Sequence, residues 1–347
     1  MLKLPRTSEE ISAAWLSEAL SVRYPGLVVE DVRVLEQIHG ACTKVRLGLA
    51  CNRPFASRVM MKAGFEPHSA AMMQMHVNEM HAYRDLTPTL SVNTCEAHYA
   101  GEDGTGRALV ILEDLTLREA RFLSLQAPIG YDLAARFLEG LAAIHARWWA
   151  SPELKDRFAW APDTSEAQFA HYFELLLDPQ AFGRFAASPR CAAMPRSLLD
   201  PPRIRAAHAA MRAAHEAMPK TINHGDMHLG NLFVDAEGRP GFLDWQPRLA
   251  PWSIDVSYFM TAGLDLVDRR RWEGALLQHY LAALRAHGIE PPGFDEAWAA
   301  YRRDLVWGLL IWMLNGSEFQ TESNNTAAAT RFAMAVVDHD TFKELGV

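Results

Sequence analysis

The chain has 347 residues, 49% of them hydrophobic and 22% charged, with a formal net charge of −8. That is enough chain for two lobes and a sizeable core, and the acidic balance argues against nucleic acid or an anionic membrane surface as the main partner. The four cysteines, at 42, 51, 95 and 191, show no CxxC spacing, which excludes a recognisable disulfide framework or cysteine metal centre and leaves them as small apolar side chains.

Thr7 with Glu10 forms a capping-box pattern that predicts a helix through about Val22. From Val28 to Leu35 apolar and charged residues alternate as in a half-buried strand, and Val45–Leu49 and Val59–Ala63 read as further strands. Between the first two lies a turn, Ile38–Lys44, whose single glycine is Gly40 and whose other small residues include Thr43. Lys62 ends an apolar triplet, and it is one of only six lysines against 28 arginines. A lysine on such a strand ordinarily snorkels to solvent. Ser69–Asp85 reads as a helix with Met72, Met75, Met80 and Tyr83 as core contacts, and Ala108–Leu112 as an apolar strand running into Glu113-Asp114-Leu115. The period then becomes helical, with Leu133, Phe137, Leu138, Leu141, Ile144, His145 and Trp148 on one face of Asp132–Trp149. On that apolar face His145 is expected to be a satisfied core histidine. Asp178–Pro202 carries five prolines and is expected to be loop, in a position suited to a lid. Helices are expected over Arg203–Met218, Arg269–His287, Phe294–Leu314 and Thr326–Leu345.

The densest chemistry lies in Asn223–Gln246, NHGDMHLGNLFVDAEGRPGFLDWQ. His224, Asp226, His228 and Asn231 fall within one short stretch. Two apolar segments, Leu232–Val234 and Gly241–Leu243, flank a turn at Asp235–Gly238, and a hairpin there is expected to bring Asn231 and Asp244 face to face. An amide and a carboxylate are hard oxygen ligands, which suit Mg²⁺ better than zinc. The separate carboxylate of Asp226 can take a proton from a hydroxyl. A rival arrangement is a zinc set made of His224, Asp226 and His228, which would mean a metal-dependent hydrolase; it leaves Asn231 and Asp244 unused.

HGDxHxxN followed by LDW at this distance resembles the small-molecule branch of the kinase-like phosphotransferases, the aminoglycoside phosphotransferase and choline kinase relatives, including the ecdysteroid-kinase-like proteins. The HARWW that ends at Trp149 looks like the last of these. The resemblance implies an α+β, bilobal protein-kinase-like fold: an N-terminal nucleotide-binding lobe on an antiparallel sheet (1–112), a hinge (113–117) and a larger, mainly helical catalytic lobe (118–347). It implies ATP, with GTP not excluded, and Mg²⁺. In that frame Asp226 is the catalytic base, Asn231 and Asp244 hold metal, and Lys62 holds phosphates with Glu79 as its partner and Glu66 as second choice. The turn at Gly40 and Thr43 covers the phosphates, although it departs from GxGxxG, and the backbone at Glu113 and Leu115 reads the base. His224, His228 and Asp255 support the catalytic loop.

The resemblance further implies a small-molecule hydroxyl as acceptor, a largely apolar alcohol by the scarcity of carboxylates between Asp255 and Asp268 and the tryptophans and Tyr258 around the motif. A protein kinase is disfavoured because DFG and APE are missing. A nucleotide-binding pseudokinase is the remaining alternative, against which the set Lys62, Asp226, Asn231 and Asp244 argues. No protein partner is inferred. No apolar run of about 18 residues is long enough to span a bilayer, and the N-terminus lacks a basic-then-apolar signal pattern, so a cytoplasmic location is expected.

Overall fold

Val29–Ile38 (β1) is the edge of a five-stranded antiparallel sheet with Thr43–Cys51 (β2), Arg58–Ala63 (β3), Ala97–Glu102 (β5) and Ala108–Glu113 (β6), in the order β1-β2-β3-β6-β5; the two-residue strand Asn93–Thr94 (β4) lies outside it. The computed structural model describes residues 2–165, 173–317 and 319–347. Register shifts at Val29/Asp31 and Val34/Glu36 interrupt β1. With its charged residues these bulges keep an exposed edge from pairing with another chain. The core of this sheet is Val45, Leu47, Val59, Met61, Leu109 and Ile111, covered by Leu16, Ala19 and Leu20 of the helix Ala13–Ser21 (α1). Fully burying side chains of this size stabilises by about 1.5–3 kcal/mol each.

The first helix starts later than Thr7. Ser8–Glu10 is a single 3₁₀ turn, the Glu10 carboxylate accepts from the Arg6 N–H at 2.8 Å, and Ser12 caps α1 by accepting from Trp15 N at 3.2 Å. The helix expected over Ser69–Asp85 is likewise divided. A 3₁₀ segment, Pro67–Met72, carries a capping box between Glu66 and Ser69, and the α-helix proper is Met73–His81 (α2).

By packing, the chain divides into two units: Met1–Arg121 with Val234–Gln246, and Phe122–Phe233 with Pro247–Val347. The division differs from a simple break near residue 113. Residues 234–246, expected with the helical lobe, join the first unit, because Pro240–Phe242 forms a parallel pair with β4 and Asp244 is held by lysines of β2 and β3.

The second unit is mainly helical. In Tyr131–Arg147 (α3) the residues Phe137, Leu138, Leu141, Ile144 and His145 are buried, as their spacing predicts, and α3 packs on Leu266–Ala286 (α6). Pro201–Glu216 (α4) leads into Lys220–Asn223 (β7), which pairs antiparallel with Arg248–Pro251 (β8). All eleven residues of Ser253–Gly263 (α5) are buried, the pattern of a helix surrounded by others. Phe294–Leu314 (α7) falls on its expected bounds. The last helix does not: Glu322–Asp338 (α8) stops where Asp340 turns left-handed (φ 46°), and Thr341–Glu344 is a separate turn of helix. The proline-rich segment after Asp178 is not loop throughout, since Asp178 caps a helix at Pro179–Ala186. Arg190 is buried and bonds to Trp312 O at 3.2 Å and to Glu322 Oε1 at 3.0 Å, which fastens the segment down.

Candidate active site

In the first unit β2 and β3 place Lys44 directly opposite Lys62, so both side chains leave the same face of the sheet. Lys62 does not snorkel: it is 6% exposed, and its ammonium contacts Glu79 Oε1 on α2 and Asp244 Oδ1. Lys44 Nζ holds the other carboxylate oxygen, Asp244 Oδ2, at 2.9 Å. Asp244 itself lies in the left-handed region (φ 57°), which an aspartate tolerates better than most residues. Its N–H donates to the Tyr83 hydroxyl at 3.3 Å. Burial works to raise the Asp244 carboxyl, but the charges of Lys44 and Lys62 outweigh it and hold the group far below the usual carboxylate range. Burial also works to lower the Lys62 ammonium, and Asp244 and Glu79 together hold it well above its ordinary value. Two ammonium groups thus face two carboxylates. Glu66, the second choice for Lys62, is engaged elsewhere: it accepts from the Thr43 hydroxyl at 2.6 Å and lies 2.8 Å from His39 Nδ1.

The Thr43 hydroxyl is therefore committed within the turn, and Gly40 offers its carbonyl to His68 Nε2 at 2.9 Å. What remains for a phosphate at this turn is backbone N–H. At the end of β6 the Glu113 carboxylate accepts from Glu96 N at 3.1 Å and pairs with Arg118, while Leu115 is buried at the start of a 3₁₀ turn. Asp114 caps that turn and faces the guanidinium groups of Arg46 and Arg58 at 3.1 and 3.4 Å.

In the second unit the loop after β7 is bound by its own side chains. Asp255, in the first turn of α5, accepts from His224 N at 2.6 Å and Gly225 N at 3.0 Å. Burial raises the Asp255 carboxyl, but the hydrogen bond and charge of His145 and these loop contacts bring it below its usual range. His145 is the satisfied core histidine expected, with Nε2 3.4 Å from Asp255 and Nδ1 2.7 Å from the Tyr280 hydroxyl. Gly225 adopts φ 88°, so the middle position of His-Gly-Asp admits no ordinary side chain without strain. Asn231 Nδ2 donates both to the Asp226 carbonyl at 2.9 Å and to its Oδ2 at 2.8 Å. The Tyr258 hydroxyl donates to Asp226 Oδ1 at 3.2 Å. His228 Nδ1 accepts the Gly230 N–H at 3.0 Å. Its other ring nitrogen, Nε2, faces Asp226 Oδ2 at 3.5 Å. Removing Asp255 leaves His145 and two loop N–H groups without their acceptor; Asp255→Ala is expected to cost about 3–5 kcal/mol, read as a shift of the denaturant midpoint at constant slope.

Lys62, Glu79 and Asp244 meet in the first unit, and His224, Asp226, His228, Asn231 and Asp255 in the second. Sequence reasoning missed Lys44, whose signal was its rarity and its register opposite Lys62. It also missed Arg248, which lies half-buried over Trp307 (4.8 Å) and donates to the Gly225 carbonyl at 2.6 Å. The proposed aromatic wall thins out: Trp245 and Trp252 are fully buried, Trp245 bonding Thr94 and Trp252 stacked on Tyr280. Tyr258 and Trp312 do stand by Asp226 and His228.

The sequence profile of the ecdysteroid kinase-like family matches residues 40–289, well over half of the chain.

The chain belongs to the ecdysteroid kinase-like family.

No curated protein sequence matches it. Its fold is that of solved small-molecule phosphotransferases. The choline kinase LicA from Streptococcus pneumoniae is 13% identical with a TM-score of 0.52, over 95% of this chain and 97% of that one. The aminoglycoside phosphotransferase APH(2")-IIIa, solved with GDP and kanamycin, is 11% identical with a TM-score of 0.53, over 93% and 98%. An ethanolamine kinase from Plasmodium vivax is 11% identical with a TM-score of 0.51, over 88% and 81%. The fold class expected from the sequence, α+β and protein-kinase-like, is the one found in this ecdysteroid kinase-like chain. The zinc arrangement is not: among the described residues no three His, Cys, Asp or Glu side chains are gathered to hold a metal ion.

The donor chemistry does fit magnesium. Asp244 is an ionised, partly exposed carboxylate (19%) whose present counter-charges are lysines. Asn231 uses its NH₂ on Asp226, which leaves the amide oxygen to face a cation. Hard oxygens of this kind suit Mg²⁺.

Proposed function

We propose that this ecdysteroid kinase-like protein transfers the γ-phosphoryl group of Mg·ATP to a hydroxyl of a small molecule. The observation that carries this is Lys62, a buried ammonium gripped by Glu79 and facing Asp244. A lysine kept charged at that depth is suited to phosphate oxygens. Asp226 takes the hydroxyl proton, with Tyr258, Asn231 and His228 fixing its two oxygens. Asn231 and Asp244 would hold magnesium, which when bound neutralises charge on the phosphates. The turn at Gly40 and Thr43 covers phosphates through its backbone, and the segment at Glu113 and Leu115 reads the base. On this reading residues 1–112, joined by 234–246, form the nucleotide-binding part, with 113–117 as the hinge.

A largely apolar or singly charged alcohol suits the acceptor. Of the carboxylates after the motif, Asp255 is taken up by the loop, and Asp265 caps α6 through Val267 N and Asp268 N. That leaves few charges for a polycation. An ATP-consumption screen over apolar alcohols, amino alcohols, sterols, hydroxyacyl thioesters and aminoglycosides tests this: turnover of kanamycin-type compounds with none on any apolar alcohol overturns the acceptor class.

Lys44 competes with the metal for Asp244 Oδ2. Lys44→Met should therefore lower the magnesium concentration needed for half-maximal nucleotide binding by about two- to five-fold, the scale of a partly exposed ion pair. A magnesium titration followed by nucleotide fluorescence measures it. A rise instead would make Lys44 chiefly a phosphate ligand.

A further inference from the structure

Behind the Lys62–Glu79 pair the first unit contains a cavity of about 300 Å³ that the phosphotransfer chemistry does not use. Its walls come from the N-terminal segment at Arg6, the end of β3 and the turn that follows, the start of α2, and the β5–β6 connection at Arg107. The size is at the lower end of small-molecule pockets. Three features point to the class of occupant. Arg6 and Arg107 both line the space, and among the described residues neither guanidinium forms an ion pair. His76 also lines it, and its buried Nε2 has no hydrogen-bond partner. The single carboxylate in the wall, Glu66, is already saturated by Thr43, His39 and Ser69 N. Outside the wall, the Asp103 carboxylate is bonded by the N–H and hydroxyl of Thr105 and also feels the charge and backbone N–H of Arg107, so it offsets that guanidinium only in part. The balance in the cavity is therefore positive, with apolar surface from Phe65 and Met73.

The cavity also shares wall residues with the surroundings of the ion pair. His76 lies one turn before Glu79 on α2, and Gly64 lies two residues after Lys62. A separate, smaller void of about 10 Å³ is lined by the same His76, Ala63, Ala108 and Leu109 and by Cys42, Lys62 and Glu79. At Gly64 a Cβ would come within 2.7 Å of His76 Nδ1, so backbone and imidazole are in close register there.

We propose that this cavity binds a small organic anion, a carboxylate or phosphate monoester with a compact apolar body, through Arg6, Arg107 and the free edge of His76. Occupancy then bears on α2 and on how Glu79 holds Lys62. The binding claim stands independently of the phosphotransferase function.

Calorimetry with benzoate and phenyl phosphate as probes, against uncharged benzyl alcohol, tests it on the full chain. The intact protein should bind at least one anion saturably and benzyl alcohol much more weakly. Arg6→Gln with Arg107→Gln should weaken that anion at least ten-fold, whereas saturating Mg·ATP should leave its affinity unchanged. Melting temperature checks that each variant is folded. If no anion binds, if benzyl alcohol binds equally well, or if Mg·ATP displaces the anion while the arginine changes leave it bound, the proposal is wrong. His76→Gln offers a second route: loss of anion affinity supports the site, and unchanged affinity removes His76 from it.

Discussion

Asp226→Asn should lower turnover by about 10²–10⁴, the usual scale for a general base, with nucleotide affinity and melting temperature little changed. The amide oxygen can still accept from Asn231 and its NH₂ can donate to the Tyr258 hydroxyl, so the loop keeps its shape while the base is lost. A second signature follows from electrostatics. Burial raises the Asp226 carboxyl, but the charge and hydrogen bond of His228, with His224 and Arg248, bring it below its ordinary value. A carboxylate whose folded-state pKa is depressed stays ionised at neutral pH, and the stability it confers is present above its unfolded value and lost as pH falls through the folded one. The kcat/KM profile should therefore show no acid limb from this group above about pH 4. Near-normal turnover in Asp226→Asn would remove it from the chemistry.

Asp244→Ala should abolish magnesium-dependent ATP binding in calorimetry, and with opposite effect strengthen binding of metal-free ATP. The reason is the local charge count: without Asp244, Lys44 and Lys62 face Glu79 alone and present an uncancelled positive charge to a phosphate chain. Asn231→Ala removes only a neutral ligand and should weaken Mg·ATP less. Unchanged Mg·ATP binding in Asp244→Ala would dismiss the carboxylate as a metal ligand.

How far these residues were legible depended on how local their contacts are. The loop from His224 to Asn231 announced itself because hydrogen bonds over two to five positions build it, and such spacing is written in the chain. The partnership of Lys62 with Glu79 was legible too, since strand and helix follow one another. Lys44 was not, because its meaning comes from cross-strand register and from Asp244, 200 positions away. Arg248 escaped for the same reason: only the pairing of β8 with β7 brings it to Gly225. Thr7 misled because Glu10 finds the Arg6 N–H instead, and a short turn with a serine cap takes the place of one long helix. The prolines after Asp178 misled because proline at the first positions of a helix is favourable, as at Pro179 and Pro201.

The division of the chain sets an order of events during synthesis. The first unit is not finished when residue 121 leaves the ribosome, because Val234–Gln246 belongs to it and comes more than a hundred residues later. Until then Lys44 and Lys62 lie side by side with only Glu79 to balance them, and β4 lacks its parallel partner. A nascent N-terminal piece is thus an electrically lopsided sheet waiting for one aspartate. It follows that a fragment cut at residue 121 is a poor surrogate for the nucleotide-binding part, and that adding the peptide 234–246 in trans is the natural way to ask how much of its stability arrives late.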